Sequence, residues 1–329
     1  MQDSITRVTL TRRGALTAFA LALPLAASAC GEDTPSTSSS GGGTTTVKVG
    51  VISIIDVAPI YLGVSKGFFK DAGLDLKLET ASGGAAIVPA VVAGQYQFGF
   101  SNTVSLLLAS SKGLKLKAVA AGVSTVGTEG KDFGAVVVKA DSPIKTAADL
   151  AGKKIAVNTL NNINTTTVNE VVRKAGGDPS KITYVELGFP DIVAAIAKGD
   201  VDAGQVVEPF LTTATQAGNR QVVSNYAGTD PNLTVAAYFT SADYASKSPK
   251  VVESFKTAMT KSLTYANEHP DEVRAILATY TKIDAKVSAA VVLPRWTGQI
   301  DQASVAKLAE LAQKDGFLTA TPDIAALIG

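Results

Sequence analysis

Apolar and polar positions alternate in two distinct patterns from Val47 to about Ser224. Short β-branched runs at 47–52, 74–78, 96–100 and 117–121 read as strands, and the stretches 59–72, 87–93 and 104–112 between them carry apolar residues at helical spacing. The pattern restarts with strands at 135–139, 154–158, 183–187, 203–207 and 221–224. After one more strand at 235–240 the chain is mostly helical. Strands that alternate with helices predict an α/β class with parallel sheets covered by helices.

Within this pattern the segment 83–99 aligns without gaps on 188–204, a constant offset of 105 residues. Gly83, Ile87, Val88, Ala90, Gly94 and Gly99 match Gly188, Ile192, Val193, Ala195, Gly199 and Gly204. Each copy reads as a helix stopped by a glycine that can turn left-handed, followed by a buried strand. Its place in each half points to two related lobes; a chance likeness between two helix-to-strand units is the alternative.

Ahead of the folded body, Arg7, Arg12 and Arg13 precede sixteen uncharged residues, 14–29, that end in Ala27-Ser28-Ala29 before Cys30. A basic start, an apolar segment and small residues before a cut mark a signal peptide with a lipid-attachment site. The segment, interrupted by Pro24, falls short of the roughly 20 residues a membrane span needs. Residues 11–16 resemble a twin-arginine signal with Ala15 where Phe is usual, which leaves both export routes open. Cys30 is the only cysteine, so an intramolecular disulfide is impossible and this residue is the one expected to carry lipid. Residues 31–46 are nearly all Ser, Thr, Gly and Pro, a tether reaching about 20 to 25 Å root-mean-square. The expected division is a signal peptide at 1–29, a lipidated linker at 30–46, and a body exported to the outer face of the cell membrane.

Charge and composition then exclude several functions. Removing 1–29 takes away three Arg and one Asp, leaving 27 basic against 28 acidic side chains. A near-neutral body offers no polycationic surface for nucleic acid. His269 is the single histidine, read as a surface residue near a helix end, so no His or Cys cluster can be assembled for a metal or a nucleophile–base pair. The expectation is a monomer with no metal, no cofactor and no enzymatic activity; carboxylate-only chemistry is the route that composition leaves open.

Two runs carry a family resemblance. Val49-Gly50-Val51 through Ala58-Pro59-Ile60-Tyr61-Leu62-Gly63, and Lys66-Gly67-Phe68-Phe69-Lys70-Asp71-Ala72-Gly73-Leu74-Asp75-Leu76, resemble the opening of solute-binding proteins for sulfonates, taurine, nitrate and pyrimidine precursors, the NMT1/THI5-like family. Asp149 to Val157 and Ala195 to Ala203 continue the likeness. It implies a type II periplasmic-binding-protein fold: two parallel-sheet lobes, a cleft and two crossover strands. Lobe one would be 47–134 plus 234–329, and lobe two 135–233. It also implies a small-molecule ligand and, as partners, an ABC permease with its ATPase. A receptor that signals through a membrane partner, a binder of pyrimidine or thiamine precursors, and a metal-free enzyme are the alternatives on the same fold.

Ligands of open α/β sheets sit beyond the carboxyl ends of strands, which selects four loops. Ser53 and Asp56 follow the first strand, with Tyr61 one turn on; Asp56 serves equally well as a helix cap, and Tyr61 as core. Ser101, Asn102 and Thr103 follow the third, where capping is again the alternative. Asn158 leads through an Asn-rich turn to Asn164, Thr165 and Thr166 at a helix start, whose N–H groups and dipole suit an anionic group. Glu208 and Phe210 form the fourth loop, Glu208 either meeting the ligand or bracing the hinge. None of these loops contains Arg or Lys, and the solute's charge stays open. Arg295-Trp296, near Gln299, is read as packing between helices in preference to a cleft contact.

Overall fold

The structure, a computed structural model, describes residues 44–320 and 322–328. The signal-peptide and Cys30 readings, and most of the linker, lie outside the described residues. In chain order the strands are β1 (Thr45–Val51), β2 (Leu74–Thr80), β3 (Phe98–Asn102), β4 (Leu116–Ser124), β5 (Gly134–Val138), β6 (Lys154–Val157), β7 (Thr183–Glu186), β8 (Ala203–Val207), β9 (Arg220–Val223) and β10 (Thr234–Ser241). The first begins two residues before the expected Val47, because Thr45 N–H bonds Gly73 O at 2.8 Å and Thr45 and Thr46 pair with Leu74 and Asp75.

Two five-stranded sheets result, ordered β2-β1-β3-β10-β4 and β7-β6-β8-β5-β9. β1, β2 and β3 are parallel to one another, as are β6, β7 and β8. Each sheet adds antiparallel strands to this parallel core: β10 is antiparallel to β3 and β4, and β5 to β8 and β9. The reason is the crossing itself. The chain leaves the first sheet at the carboxyl end of β4 and enters the second at the same, inner side, so β5 must run outward; β10 does the same on return. The central strands β5 and β8 are buried at every position and read as near-continuous apolar runs.

The internal echo has a packing cause. Helices Gly84–Val92 and Phe189–Lys198 are followed by Gly94 at φ +74° and Gly199 at φ +81°, which turn the chain into β3 and β8. A Cβ on Gly99 would stand 2.4 Å from Ile87 Cγ2, and one on Gly204 would stand 2.3 Å from Ile192 Cγ2. In both lobes the helix lies so close to the strand that only glycine fits beneath the isoleucine. The helix expected at 59–72 is two helices, Ala58–Ser65 and Phe68–Asp71, because Gly67 between them takes φ +80°.

The two crossovers are tied together. Asp132, fully buried, accepts from Thr125 Oγ1 and from the N–H groups of Val126, Phe133 and Ala227. Glu129 accepts the Ser224 N–H at 2.7 Å. Arg295 pairs its backbone with Ser124, then donates from Nε to Thr125 O at 2.7 Å and from Nη2 to Pro231 O at 3.0 Å. One guanidinium therefore spans the start of the first crossover and the end of the second. Among the described residues no helix is long and apolar enough to cross a membrane.

Candidate binding cleft

The carboxyl ends of β1, β3, β6 and β8 converge on a cavity of about 30 Å³ between the sheets, room for one or two waters. From the first lobe it is lined by Ile52, Ile54, Asp56, Phe100 and Asn102, with Val235 and Ala236 of β10. The second lobe supplies Asn158, Asn162, Ile163, Asn164, Phe189, Val207 and Tyr226. Among the described residues, no Arg, Lys or His lines it.

Asp56 lies in a 3-10 turn, Ile55–Val57, where its side chain caps nothing, contrary to the helix-cap reading. It is 3% exposed, and its Oδ1 has no hydrogen-bond partner among the described residues. Burial pushes its carboxyl up to about 7, reinforced by the charge of Asp132 against a weaker opposing bond from its own backbone. Trp296, packed as the sequence suggested, donates from Nε1 to the Asp56 carbonyl at 3.1 Å and fixes the turn.

On the facing wall Asn162 caps helix Ile163–Lys174, its Oδ1 accepting the N–H groups of Asn164 (2.9 Å) and Thr165 (3.3 Å), while Thr165 Oγ1 accepts the Asn162 N–H. Asn158 Oδ1 accepts from the carboxamides of Asn162 at 3.0 Å and Asn164 at 2.8 Å, and Asn164 Oδ1 accepts the Tyr226 hydroxyl. The remaining first-turn donor, Ile163 N–H, bonds Asn102 Oδ1 across the cleft at 3.3 Å. The helix start therefore does not offer the free N–H groups the sequence suggests; polar side chains already hold them.

The other expected residues separate into those at the cavity and those behind it. Asn102 lines it and also caps helix Thr103–Ser111 through Ser105 N–H at 2.9 Å. Ser101 sits under Gly84, and Thr103 Oγ1 bonds Thr234 O at 2.9 Å, so both position strands. Ser53 is flanked by two lining isoleucines without lining the cavity itself. Tyr61 stacks on Tyr280 at 3.9 Å, the core alternative. Thr165 belongs to the capping box, and Thr166 is fully buried with its hydroxyl unpaired. Glu208 accepts from Thr212 N–H and Oγ1 and from Val292 N–H, while its carbonyl takes Ile55 N–H at 3.0 Å; it braces the lobes. Desolvation pushes its carboxyl up to about 7 as well, against those three bonds. Phe210 stacks behind the lining Phe189. His269 stacks on Tyr265, away from the cavity. Among the described residues no group of acidic, His or Cys side chains could hold a metal.

Sequence reasoning missed Phe189 and Tyr226, and passed over Asn162 within the Asn-rich turn. Phe189 follows Gly188, one of the echoed glycines, so the repeat register could have drawn it out. Tyr226, on the short helix Asn225–Thr229 inside the second crossover, carried no signal of its own.

Two α/β lobes joined by two crossovers, with a cavity of mixed polar and apolar lining where their strands end, define the periplasmic-binding-protein fold. The same fold is seen in the alkanesulfonate-binding protein SsuA from Xanthomonas axonopodis pv. citri bound to MOPS, at TM-score 0.74 and 19% identity over 87% of this chain and 99% of that one. The chain belongs to the NMT1/THI5-like family, whose model matches residues 54–273. It is 27% identical over 188 residues to the taurine-binding periplasmic protein of Escherichia coli (strain K12), covering 57% of this chain and 56% of that protein. It is also 27% identical over 148 residues to a 4-amino-5-hydroxymethyl-2-methylpyrimidine phosphate synthase of Aspergillus parasiticus, covering 45% and 41%. The matches thus span about half the length of these curated relatives.

Proposed function

We propose that this chain is an exported, lipid-anchored solute-binding protein that captures a small organic molecule or anion, such as a sulfonate, taurine or nitrate, and delivers it to an ABC importer. The observation that carries this reading is the cavity itself, which takes polar groups from both lobes: Asp56 and Asn102 from one, Asn158, Asn162 and Asn164 from the other. A solute bound there favours the arrangement in which both walls touch it, so ligand shifts the population toward closure. Residues 47–134 with 234–329, and residues 135–233, are the bodies proposed to move about the crossovers.

A permease can read that closure as a signal of loading. The names of the taurine- and alkanesulfonate-binding relatives support this reading over the synthase, and so does a cavity whose polar lining, beside Tyr226, is four neutral amides and a single carboxylate. Export and anchoring rest on the run ending in Ala27-Ser28-Ala29-Cys30.

Fractionation tests the anchor. The native chain should stay with membranes after an alkaline salt wash and the Cys30→Ala variant should be released in folded form; a variant that remains membrane-bound refutes lipidation at Cys30. Transport is tested by deleting the gene, which should abolish uptake of the bound solute; unchanged uptake contradicts the importer role.

A further inference from the structure

The solute-binding reading leaves the ligand's chemistry open, and the cavity narrows it. The inference below rests on that reading. Carboxamides line the cavity from both lobes: the Nδ2 groups of Asn162 and Asn164 on the second-lobe wall, and of Asn102 on the first-lobe wall, each use one N–H within the protein and keep a second. The first-lobe wall also carries a buried carboxylate, Asp56, whose Oδ1 has no partner among the described residues. Once ionised, a carboxyl can only accept hydrogen bonds, and leaving one unpaired away from water is unfavourable.

We propose that Asp56 is the specificity-determining residue of the cleft and selects solutes that carry a basic or N–H-bearing nitrogen, aminosulfonate- and aminocarboxylate-type zwitterions foremost.

Among the described residues no donor or cation meets this need. The one charge that acts on Asp56 is that of Asp132 from the first crossover, which is also negative. The other ionisable groups it couples to are the neutral phenols of Tyr226 in the second crossover, Tyr238 on β10 and Tyr280 on helix Pro270–Tyr280, all of which the Asp56 charge pushes up. Among the described residues no cation lines the cavity. A proton neutralises Asp56 below about pH 7, and for the ionised form the positive partner has to arrive with the solute, whose nitrogen converts an unfavourable buried charge into a paired one.

A zwitterion, which needs more room than the one or two waters this cavity holds, would enter as the lobes part and use both walls at once. Its ammonium meets Asp56, and its acidic group takes the carboxamide N–H groups and, when Asn102 swings away, Ile163 N–H at the head of a helix dipole. A simple anion such as nitrate has no such balance, since it would share the cavity with Asp56 and no counter-charge.

The discriminating experiment uses matched solutes with and without the nitrogen: taurine against ethanesulfonate, β-alanine against propionate, and 4-aminopyrimidine against pyrimidine. Each is titrated calorimetrically into the full chain and into the isosteric Asp56→Asn variant, whose unliganded melt is recorded to confirm folding. At least one nitrogen-bearing member should bind tenfold or more tightly than its partner, and Asp56→Asn should shrink that ratio to about twofold. Equal or tighter binding of the nitrogen-free members to the native chain overturns the role of Asp56 and leaves solute binding standing. A ratio that survives in Asp56→Asn overturns it equally. Failure of every compound to bind counts against the solute-binding reading, and the inference falls with it.

Discussion

Asn102 and Ile163 meet across the cleft through one oxygen, which caps the Thr103–Ser111 helix at Ser105 N–H and also accepts the Ile163 N–H of the opposite lobe. A single carboxamide thereby links a cap in one lobe to the helix start of the other.

Replacing that side chain separates the two roles. Asn102→Ala should destabilise the protein by about 1 kcal/mol through the lost cap and loosen the lobes. Asn102→Asp keeps the cap and places a negative charge at two helix N-termini, so the unliganded protein should gain about 0.3–1 kcal/mol while affinity for an anionic group falls. Chemical denaturation and ligand titration of the two variants check both signs.

Stability should respond to pH in an unusual direction. Asp56 and Glu208 have folded values raised to about 7 from 3.8 and 4.5. Between the unfolded and folded values the native state binds more protons than the unfolded state, so stability falls as pH rises through this window and levels off above about 7. Lowering the pH from 8 to 5.5 should stabilise the unliganded protein by about 1 to 4 kcal/mol, at roughly 1.4 kcal/mol per unit and group before relaxation. Below about pH 4 the trend reverses, as Asp149 and Asp178, held low by hydrogen bonds from their own turns, take up protons. Asp56→Asn should make the slope between pH 8 and 5.5 clearly shallower without abolishing it, since Glu208 is raised as well; an unchanged slope shows that Asp56 does not titrate there.

The two-lobe plan was legible in the sequence because strand and helix periods are local, and the Gly83–Gly99 echo records a packing constraint used twice. Strand direction at β5 and β10 was not legible, since it depends on which end of each sheet the crossovers reach. At the cleft, Asp56, Asn102, Asn158 and Asn164 were found from their place after strands. Ser101, Thr103, Thr165 and Thr166 shared that place, yet their side chains turn to backbone carbonyls, a cap or the interior, which loop position alone does not reveal. Tyr226 enters the cavity from a crossover and obeys no strand-end rule.

The echoed glycines give a test of the close helix–strand approach. Gly204→Ala puts a Cβ 2.3 Å from Ile192 Cγ2 and should cost about 1–3 kcal/mol by overpacking. In an Ile192→Ala background the same change should cost markedly less, so the pair is less than additive. Strict additivity in denaturant melts would show that the two residues do not press on each other.

Arg295 should matter for closure more than for folding, because its exposed guanidinium joins Thr125 O to Pro231 O across the crossovers. Arg295→Ala should speed ligand release several-fold with little change in the unliganded melt. Arg295→Lys should not restore the native rate, since an ammonium lacks the planar fork that reaches both carbonyls. Stopped-flow release measures both.

The central claim is that one solute binds between the lobes and is not transformed. Titration calorimetry of the native chain with the best-binding solute, followed by mass analysis of that solute after prolonged incubation, tests it most directly. The account predicts one site per chain, recovery of the solute unchanged, a gain of about 2.7 kcal/mol in stability at one hundred times the dissociation constant, and at least tenfold loss of affinity in an Asn102→Ala, Asn158→Ala double variant. Product accumulation, or affinity unaffected by the double variant, would contradict it.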